Sequence, residues 1–384
     1  MDQQPTPSIK ASDLTRDLLA IASAFALDGE IIAIGPLGSG NVNDTYLVET
    51  TGRRYVLQRL NTAVFRQPEL VMGNLQVLAA HVDQRLGPAS DSWLAGRRWE
   101  LPQVVCSRAD QQGWHRCSDG GFWRTLTHVG DARSVDVIEN REQARELGWG
   151  LGVFHQLISD LPVDRLADTL EGFHITPRYL EEYHRALVRT GAANTPLAQE
   201  CVAFIRDREA IVSVLERAKE RGELPLRPIH GDPKINNMLI DSDSGAAVAL
   251  IDLDTVKPGL VHYDIGDCLR SCCNRLGEET DQIDAVHFDL HLADAVLEGY
   301  LGVAGRFLSE AELRYIPDAA QLISFELGLR FFSDYLAGNT YFKANHPDHN
   351  LQRALVQFQL TASIEAQMPA LRHLVESHAT TASI

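Results

Sequence analysis

Residues 229–254, IHGDPKINNMLIDSDSGAAVALIDLD, carry the pattern that decides the fold. Two short apolar runs, at 238–240 and 246–251, are separated by a polar stretch that contains Gly245. Short apolar runs around a glycine-containing polar turn predict a β-hairpin. Because a hairpin folds the chain back on itself, Asp252 at its far end is expected to lie beside the polar residues that precede the hairpin.

Three oxygen-bearing side chains flank this hairpin. Asp232 follows a His-Gly pair, Asn237 lies five residues further on, and Asp252 ends the second apolar run. Phosphoryl transfer needs a carboxylate that orients the attacking hydroxyl and oxygen ligands that hold Mg²⁺ on the nucleotide phosphates, and the protein kinase catalytic loop supplies them in this order. Mg²⁺ accepts one or two carboxylates together with phosphate and water oxygens. The alternative is a polar loop whose Asp and Asn only cap turns.

Flanking sequence extends this pattern to a family. HGDPKINN (230–237), ALIDLDT (249–255) and YDIGD (263–267) resemble motifs of the aminoglycoside phosphotransferase and choline kinase superfamily. Further blocks resemble the N-acetylhexosamine 1-kinases: FALDG (25–29), TYLVETTGRRYVLQRLNTAVF (45–65), LGLRFFSDYLAGNTYF (327–342) and HNLQR (349–353). These blocks are spread over nearly the whole chain.

The resemblance implies an α+β, two-lobed protein-kinase-like fold, with a small antiparallel-sheet N-lobe and a large, mainly helical C-lobe. We expect a disordered leader at 1–14, a nucleotide-binding N-lobe at 15–127 and a catalytic and substrate-binding C-lobe at 128–384. The residues agree with this order, because a β-branched run, a glycine-containing loop and two alternating segments follow one another between residues 31 and 60.

The loop that contains Gly38, Ser39 and Gly40 is the candidate cover for the ATP phosphates, because glycines let the backbone approach phosphate closely. An ordinary hairpin turn would look the same. Gln58 occupies the strand position at which kinases place the lysine that contacts the α- and β-phosphates. Gln76 occupies the position of the glutamate partner, so a neutral amide pair is expected in place of the usual ion pair.

The apolar segment at 122–126 predicts a strand that leads into the linker between the lobes. In kinase-like folds the backbone of this linker hydrogen-bonds adenine, so Thr127 and Val129 are the candidate adenine contacts. Any buried strand end would show the same pattern. ATP and Mg²⁺ are the expected cofactors.

The resemblance also implies a role for each polar residue of the central segment. Asp232 would orient and deprotonate the acceptor hydroxyl, and Lys234 would neutralise the transferring phosphoryl group. Asn237 and Asp252 would hold Mg²⁺. Asp264 would support the catalytic loop through hydrogen bonds.

Some residues of this sequence match residues that bind the sugar in the resembling kinases. Asp232 and Asp252 are expected to line the substrate site as well. Arg330 offers a rigid fork of donors suited to hydroxyls and carbonyls, and Tyr341 offers a ring face with a polar tip. Asn41 stands where the resembling kinases carry a sugar-contacting histidine. Without the resemblance, Arg330 and Tyr341 are ordinary packing or salt-bridging residues.

A helical scaffold is predicted from residue 141 onward. Leu147, Leu151 and Phe154 recur on one helical face, and Gly148 and Gly152 would let another element approach closely. The histidine that follows Phe154 is expected to be a packed, hydrogen-bonded residue rather than a catalytic one.

The amino-acid composition indicates which kinds of binding partner and which cellular compartment suit this protein. The 384 residues are 45% hydrophobic and 23% charged, as in a globular protein with two domains or lobes. A formal net charge of −17 argues against nucleic acid and anionic membranes as partners. The six cysteines show no C-x-x-C spacing, and the first residues lack the apolar core of a signal peptide. A monomer in a reducing cytoplasm is the default expectation.

The sequence therefore favours an ATP- and Mg²⁺-dependent small-molecule kinase that phosphorylates the anomeric hydroxyl of an N-acetylhexosamine to give the 1-phosphate. One alternative is a kinase of the same superfamily that acts on choline, an aminoglycoside, homoserine or another sugar. The other is a non-catalytic nucleotide-binding module of the same fold, which would explain Gln58 and Gln76. Such a module would have no need of Asp232, Asn237 and Asp252 together.

Overall fold

A computed structural model describes residues 11–38, 42–86, 94, 96–190 and 195–382 of the chain. The chain divides into two compact units. The first takes the chain up to Gln76 together with Pro102–Gly130, and the second takes Val77–Leu101 and the chain from Asp131 onward. An antiparallel sheet dominates the first unit, and helices dominate the larger second unit. The predicted α+β, kinase-like fold class is confirmed.

The first unit is built around its sheet. Its elements are α1 (Ala11–Ser23), β1 (Ile31–Pro36), β2 (Asp44–Thr50), β3 (Arg54–Leu60), the start of α2 (Pro68–Arg85), β4 (Val104–Val105), β5 (His115–Arg116) and β6 (Phe122–Thr127). The strands pair antiparallel in the order β1-β2-β3-β6-β4, and β5 also pairs with β6. β6 therefore lies inside the sheet, beside β3.

Helix α1 packs on one face of this sheet. Leu18 and Ala22, one helical turn apart, share a buried apolar cluster with Tyr55, Leu57 and Trp123. The helix begins at Ala11, within the segment 1–14 that was expected to be a disordered leader, and residues 1–10 lie outside the described part of the chain.

The second unit combines helices with short paired strands. Its elements are the rest of α2, β7 (Ala132–Ser134), α3 (Arg141–Ile158), α4 (Thr176–Thr190), α5 (Pro196–Arg206), α6 (Val214–Glu220), β8 (Arg227–Ile229), β9 (Met238–Asp241), β10 (Ala247–Leu250), β11 (Lys257–Gly259), α7 (Val261–Cys272), α8 (Leu290–Ala304), α9 (Glu310–Arg314), α10 (Ile316–Leu336) and α11 (His349–Ala382). β9 pairs with both β10 and β7, and β8 pairs with β11. In the described parts of the chain, every helix is too short or too polar to span a membrane.

Helices α3 and α8 cross closely because glycines lie at the contact. A methyl group on Gly148 would overlap the carbonyl oxygen of Val296. One on Gly152 would lie 2.9 Å from the carbonyl oxygen of Tyr300. The prediction that these two glycines admit a second element is confirmed, and the crossing brings the Tyr300 side chain to α3.

We expect Gly148→Ala to lower the free energy of unfolding by roughly 3 kcal/mol, because the added methyl meets backbone that cannot move aside as a side chain would. Urea unfolding of the full chain measures the change. Gly302→Ala on α8 is the matched control, since a methyl there meets nothing within 4 Å. The control should gain about 0.5–1 kcal/mol from helix propensity. Equal effects in the two variants would contradict the packing argument.

Candidate active site

The predicted hairpin forms, and it brings its two ends together. Ala247 pairs with Ile240 and Leu250 pairs with Met238 across the antiparallel strands β9 and β10. Beyond the strands, the Ile251 N–H donates to the Asn237 carbonyl oxygen at 2.8 Å. Asn237 is therefore held against the residue that immediately precedes Asp252.

Asp232 lies in a dense set of hydrogen bonds. The Lys234 Nζ donates to the Asp232 Oδ2 at 2.8 Å, and the Asn237 Nδ2 donates to the Asp232 carbonyl oxygen at 2.7 Å. Burial by itself raises the pKa of Asp232, but Lys234 and, more weakly, Arg270 hold it below the ordinary value. The carboxylate is therefore ionised at neutral pH and able to accept a proton.

Asp252 has an unusual backbone conformation. It is exposed and adopts φ 63° and ψ 55° at the start of the short 3-10 turn Leu253–Thr255. This left-handed region costs a non-glycine residue roughly 1–2 kcal/mol, although Asp tolerates it better than most residues, and strained residues of this kind cluster at functional sites. The pKa of Lys234 is raised chiefly by Asp232 and also by Asp252. Asp232 and Asp252 therefore both contribute to the electrostatic environment of the Lys234 ammonium group.

A buried carboxylate fixes the backbone in front of Asp232. The fully buried Asp264 accepts hydrogen bonds from the His230 N–H at 2.7 Å and the Gly231 N–H at 2.8 Å. His155 Nε2 lies 2.8 Å from the Asp264 Oδ2, and His155 Nδ1 lies 2.9 Å from the Tyr300 hydroxyl. Asp264 thus makes the hydrogen bonds expected of it, and His155 is packed and hydrogen-bonded as predicted.

Arg330 sits among aromatic rings. Its guanidinium carbon lies 5.2 Å from the ring centre of Phe173, 4.9 Å from Tyr179, 6.0 Å from Tyr341 and 5.4 Å from Phe342. Cation–π attraction of this kind holds a guanidinium without using its N–H groups. None of the described residues accepts a hydrogen bond from it, so the N–H fork remains available to a ligand.

The loop that carries Tyr341 is fastened by one carboxylate on α10. Asp334 accepts from the backbone N–H groups of Thr340 and Tyr341 at 2.8 Å each and of Phe342 at 2.9 Å. The Asn350 Nδ2 donates to the same carboxylate at 3.0 Å. Two of the three predicted sugar-binding residues, Arg330 and Tyr341, therefore lie together in the second unit.

In the first unit, a polar row crosses three strands. The Gln58 Nε2 donates to the Thr45 Oγ1 at 3.1 Å, and the Arg124 Nε and Nη2 donate to the Gln58 Oε1 at 3.0 and 2.7 Å. Both ends of the Gln58 amide are thus used, and the expected amide pair with Gln76 is wrong. The physical reason is strand register, which sets Arg124 directly opposite Gln58.

The other residues predicted to bind the nucleotide are those of the glycine loop and the two candidate adenine contacts. Gly38 adopts φ +70°, which suits glycine, whereas Ser39, Gly40 and Asn41 lie outside the described residues. The Thr127 N–H is a poor adenine contact because it donates to the Gln103 carbonyl oxygen at 2.9 Å within the sheet unit. Val129 is buried two residues beyond the end of β6.

Comparison with known proteins decides the family. The model of the phosphotransferase enzyme family matches residues 33–306, well over half of the 384 residues. The chain belongs to this family. It is a phosphotransferase.

Similar solved structures share the fold of this phosphotransferase at low sequence identity. An aminoglycoside phosphotransferase from Alicyclobacillus acidocaldarius is 18% identical at TM-score 0.57, covering 97% of this chain and 98% of its own. A choline kinase from Cryptosporidium parvum is 13% identical at TM-score 0.58, covering 93% and 96%. A spectinomycin phosphotransferase in complex with ADP and spectinomycin is 13% identical at TM-score 0.51, covering 92% and 100%.

The phosphotransferase has two buried arginines that the sequence analysis did not single out. The Arg270 Nε donates to the Asp267 Oδ1 at 2.8 Å, and Nη1 donates to the Glu278 Oε2 at 3.2 Å. Arg124 is 1% exposed in the middle of β6. For Arg124 the available signal was a charged residue inside a largely apolar strand, because charges are rarely buried without a partner. For Arg270 it was an acidic residue three positions earlier on the same helix, Asp267, which can pair with it.

Proposed function

We propose that this phosphotransferase uses ATP and Mg²⁺ to phosphorylate the anomeric hydroxyl of an N-acetylhexosamine, giving the 1-phosphate. The observation that carries the reaction class is the convergence of Asp232, Asn237 and Asp252 at the two ends of one hairpin, around Lys234. Family membership supports phosphoryl transfer, and the ADP bound to the similar spectinomycin phosphotransferase supports an adenine nucleotide.

In this proposal Asp232 acts as the general base. Its lowered pKa keeps the carboxylate ionised, so it can accept a hydrogen bond from the acceptor hydroxyl and take its proton as the phosphoryl group arrives. Lys234 lies 2.8 Å from this carboxylate, where its ammonium can neutralise charge on the transferring group. The rest of the catalysis is positioning and electrostatic stabilisation, as is usual for phosphoryl transfer.

The side chains available for a metal ion fit Mg²⁺. Because the Asn237 Nδ2 is committed to the Asp232 carbonyl oxygen, its Oδ1 is the atom that would bind a cation. The exposed Asp252 carboxylate would be the second ligand, one residue beyond the Ile251 N–H that donates to Asn237. The described residues contain no cluster of three or more His, Cys, Asp or Glu side chains suited to a metal. Mg²⁺ needs few protein ligands because phosphate and water oxygens complete its shell. When bound, it would neutralise phosphate charge during transfer.

On the nucleotide side, Arg124 is the proposed replacement for the lysine that kinases carry on the third strand. The Arg124 guanidinium, on the neighbouring strand, donates hydrogen bonds to Gln58, which occupies the position of the kinase lysine. Arg124 would therefore supply the positive charge at that position. Gly38 and the following Ser39 and Gly40 would cover the phosphates, and Val129 would contact adenine.

The aromatic surroundings of Arg330 support a neutral acceptor. Aromatic cages bind quaternary ammonium groups, but here the protein's own cation lies among the four rings. A cationic acceptor would therefore meet a like charge. A guanidinium fork donates well to hydroxyl and carbonyl oxygens, as found on an acetamido sugar. Tyr341, 57% exposed, would stack on the sugar ring, and Asn41 and Asp252 would complete the substrate contacts.

Asp232→Asn should lower kcat by roughly 10³-fold, because the amide cannot take the hydroxyl proton, while the affinity for Mg²⁺ and ATP stays within about twofold. Coupled ADP release measures kcat, and calorimetry measures binding. Asp243→Asn, in the exposed hairpin turn, is the control and should behave as wild type. Activity of Asp232→Asn within tenfold of wild type would remove this residue from the base role.

An ADP-release screen tests the substrate. We expect the highest kcat/KM with N-acetylglucosamine or N-acetylgalactosamine, a lower value with glucose, and none above background with choline, ethanolamine or kanamycin. Phosphorus NMR of the product should place the phosphate on the anomeric oxygen. Preferred turnover of a cationic acceptor would contradict the proposal, and no turnover of any acceptor together with tight ATP binding would favour a non-catalytic module.

In the same assay, Arg330→Gln should raise the KM for the sugar by about 10–100-fold, because hydrogen bonds from a charged donor are lost. The KM for ATP should not change. Arg185→Gln, on the exposed face of α4, is the matched control for loss of one guanidinium. If Arg330→Gln left the sugar KM unchanged, the aromatic site would not be the acceptor site.

A further inference from the structure

A second carboxylate–histidine pair, besides Asp264 and His155, holds the loop before Asp232. His174, in the turn before α4, places its Nδ1 2.8 Å from the Glu326 Oε1 and its Nε2 2.7 Å from the Gly231 carbonyl oxygen. The side chains of His174 and Glu326 are 6% and 2% exposed. The backbone before Asp232 is therefore bonded at its N–H groups by Asp264 and at a carbonyl by His174.

The partners of His174 fix its protonation state. A backbone carbonyl can only accept, and Glu326 also accepts a 2.6 Å hydrogen bond from the Thr176 hydroxyl on its second oxygen. A neutral imidazole has one N–H and cannot donate to both Glu326 and Gly231. Because the pKa of Glu326 is lowered, its carboxylate is ionised and can only accept, so the imidazolium is the state of His174 that satisfies both contacts.

The charges around His174 agree with this assignment. Burial by itself lowers the pKa of His174, but the Glu326 carboxylate raises it above the ordinary value, and Arg330 opposes this only weakly. The pKa of Glu326 is lowered in return, despite burial. The titratable and charged groups that face the imidazole are Glu326 and Arg330 on α10, Tyr263 and Asp267 on α7, Tyr179 on α4 and Asp232 beyond Gly231.

The flexibility of Gly231 is the reason that its carbonyl needs the hydrogen bond from His174. Gly231 adopts φ +89°, and a methyl group there would lie 2.7 Å from the Thr255 carbonyl oxygen, so glycine is required. The same residue leaves the Gly231–Asp232 peptide plane free to rotate unless hydrogen bonds hold it. The carbonyl of that peptide is held by His174, and its N–H donates to the His230 Nδ1 at 3.2 Å.

We propose that His174, as an imidazolium, is a positioning residue that locks the Gly231–Asp232 peptide and thereby aims the Asp232 carboxylate at the acceptor. The pairing also links the catalytic loop to the acceptor site, because Glu326 lies one helical turn before Arg330 on α10. The aiming role rests on the proposed function, whereas the protonation state and the peptide lock do not.

Because the contact to Gly231 needs a protonated His174, both kcat and folding stability should change with pH in a predictable direction. When His174 loses a proton, the remaining N–H should stay on Nδ1, facing the charged Glu326, so the Nε2 contact to the Gly231 carbonyl is lost as pH rises through the raised pKa of His174. We therefore expect kcat to fall on the alkaline side, and the His174 contribution to folding stability to fall over the same range.

Nitrogen NMR of the full chain tests the protonation state without any substrate. At pH 6.5, close to the ordinary histidine pKa, both ring nitrogens of His174 should be mainly protonated, and Glu326→Gln should lower the pKa of His174. Amide exchange at Asp232 should be at least tenfold faster in His174→Gln. A neutral His174 at pH 6.5 in the wild-type chain, or unchanged exchange in a folded His174→Gln, would overturn the lock.

Kinetics test the positioning role. His174→Gln should lower kcat roughly 10–100-fold, leave the KM for ATP unchanged and abolish the alkaline fall in kcat, while Glu326→Gln should move that fall to lower pH. His184→Gln, an exposed histidine on α4 paired with Glu209, is the control and should leave the pH profile unchanged. An alkaline fall that stays in place in Glu326→Gln would overturn the aiming role. If no acceptor is turned over, the proposed function fails, and the NMR and exchange results still decide the lock.

Discussion

The buried Asp264 carboxylate is the constraint on which the candidate site depends. It accepts hydrogen bonds from the N–H groups of His230 and Gly231 and so fixes the backbone immediately before Asp232. His155 and Tyr300 stabilise that negative charge, and they meet only because α3 and α8 cross at glycines. The packing of α3 against α8 thus holds the Asp264 carboxylate in place through His155 and Tyr300. Asp264 in turn holds the backbone that carries Asp232.

Positive charge is gathered locally in a chain whose net charge is −17. Lys234 and Arg270 both lower the pKa of Asp232, and Asp232 in turn raises the pKa of Arg330. Arg270 is buried and Arg330 lies among four aromatic rings, so water screens these two charges less than it screens Lys234, whose side chain is 32% exposed. An anionic nucleotide bound at Asp232 would gain from this arrangement despite the overall charge of the molecule.

The sequence predicted the parts of the site whose partners are close in the chain. The hairpin, the spacing of Asp232 and Asn237 and the glycine face of α3 follow from local period and turn chemistry. Residue patterns did not identify partners from distant segments, and the contact of Asp264 with the loop before Asp232 was expected only from the family resemblance. Period-2 alternation placed Gln58 on a face of its strand, but only the register of β3 against β6 sets Arg124 opposite it. The contact between His174 and Glu326 joins positions 152 residues apart, and no local signal marks it.

The central claim is that one hairpin assembles a metal-nucleotide site beside a general base. A crystal structure with a non-hydrolysable ATP analogue and Mn²⁺, with the ion located by its anomalous scattering, tests it most directly. The account predicts an ion about 2.1 Å from an Asp252 carboxylate oxygen and from the Asn237 Oδ1, bridging phosphate oxygens. An ion bound to phosphates with neither residue in its coordination shell would contradict it.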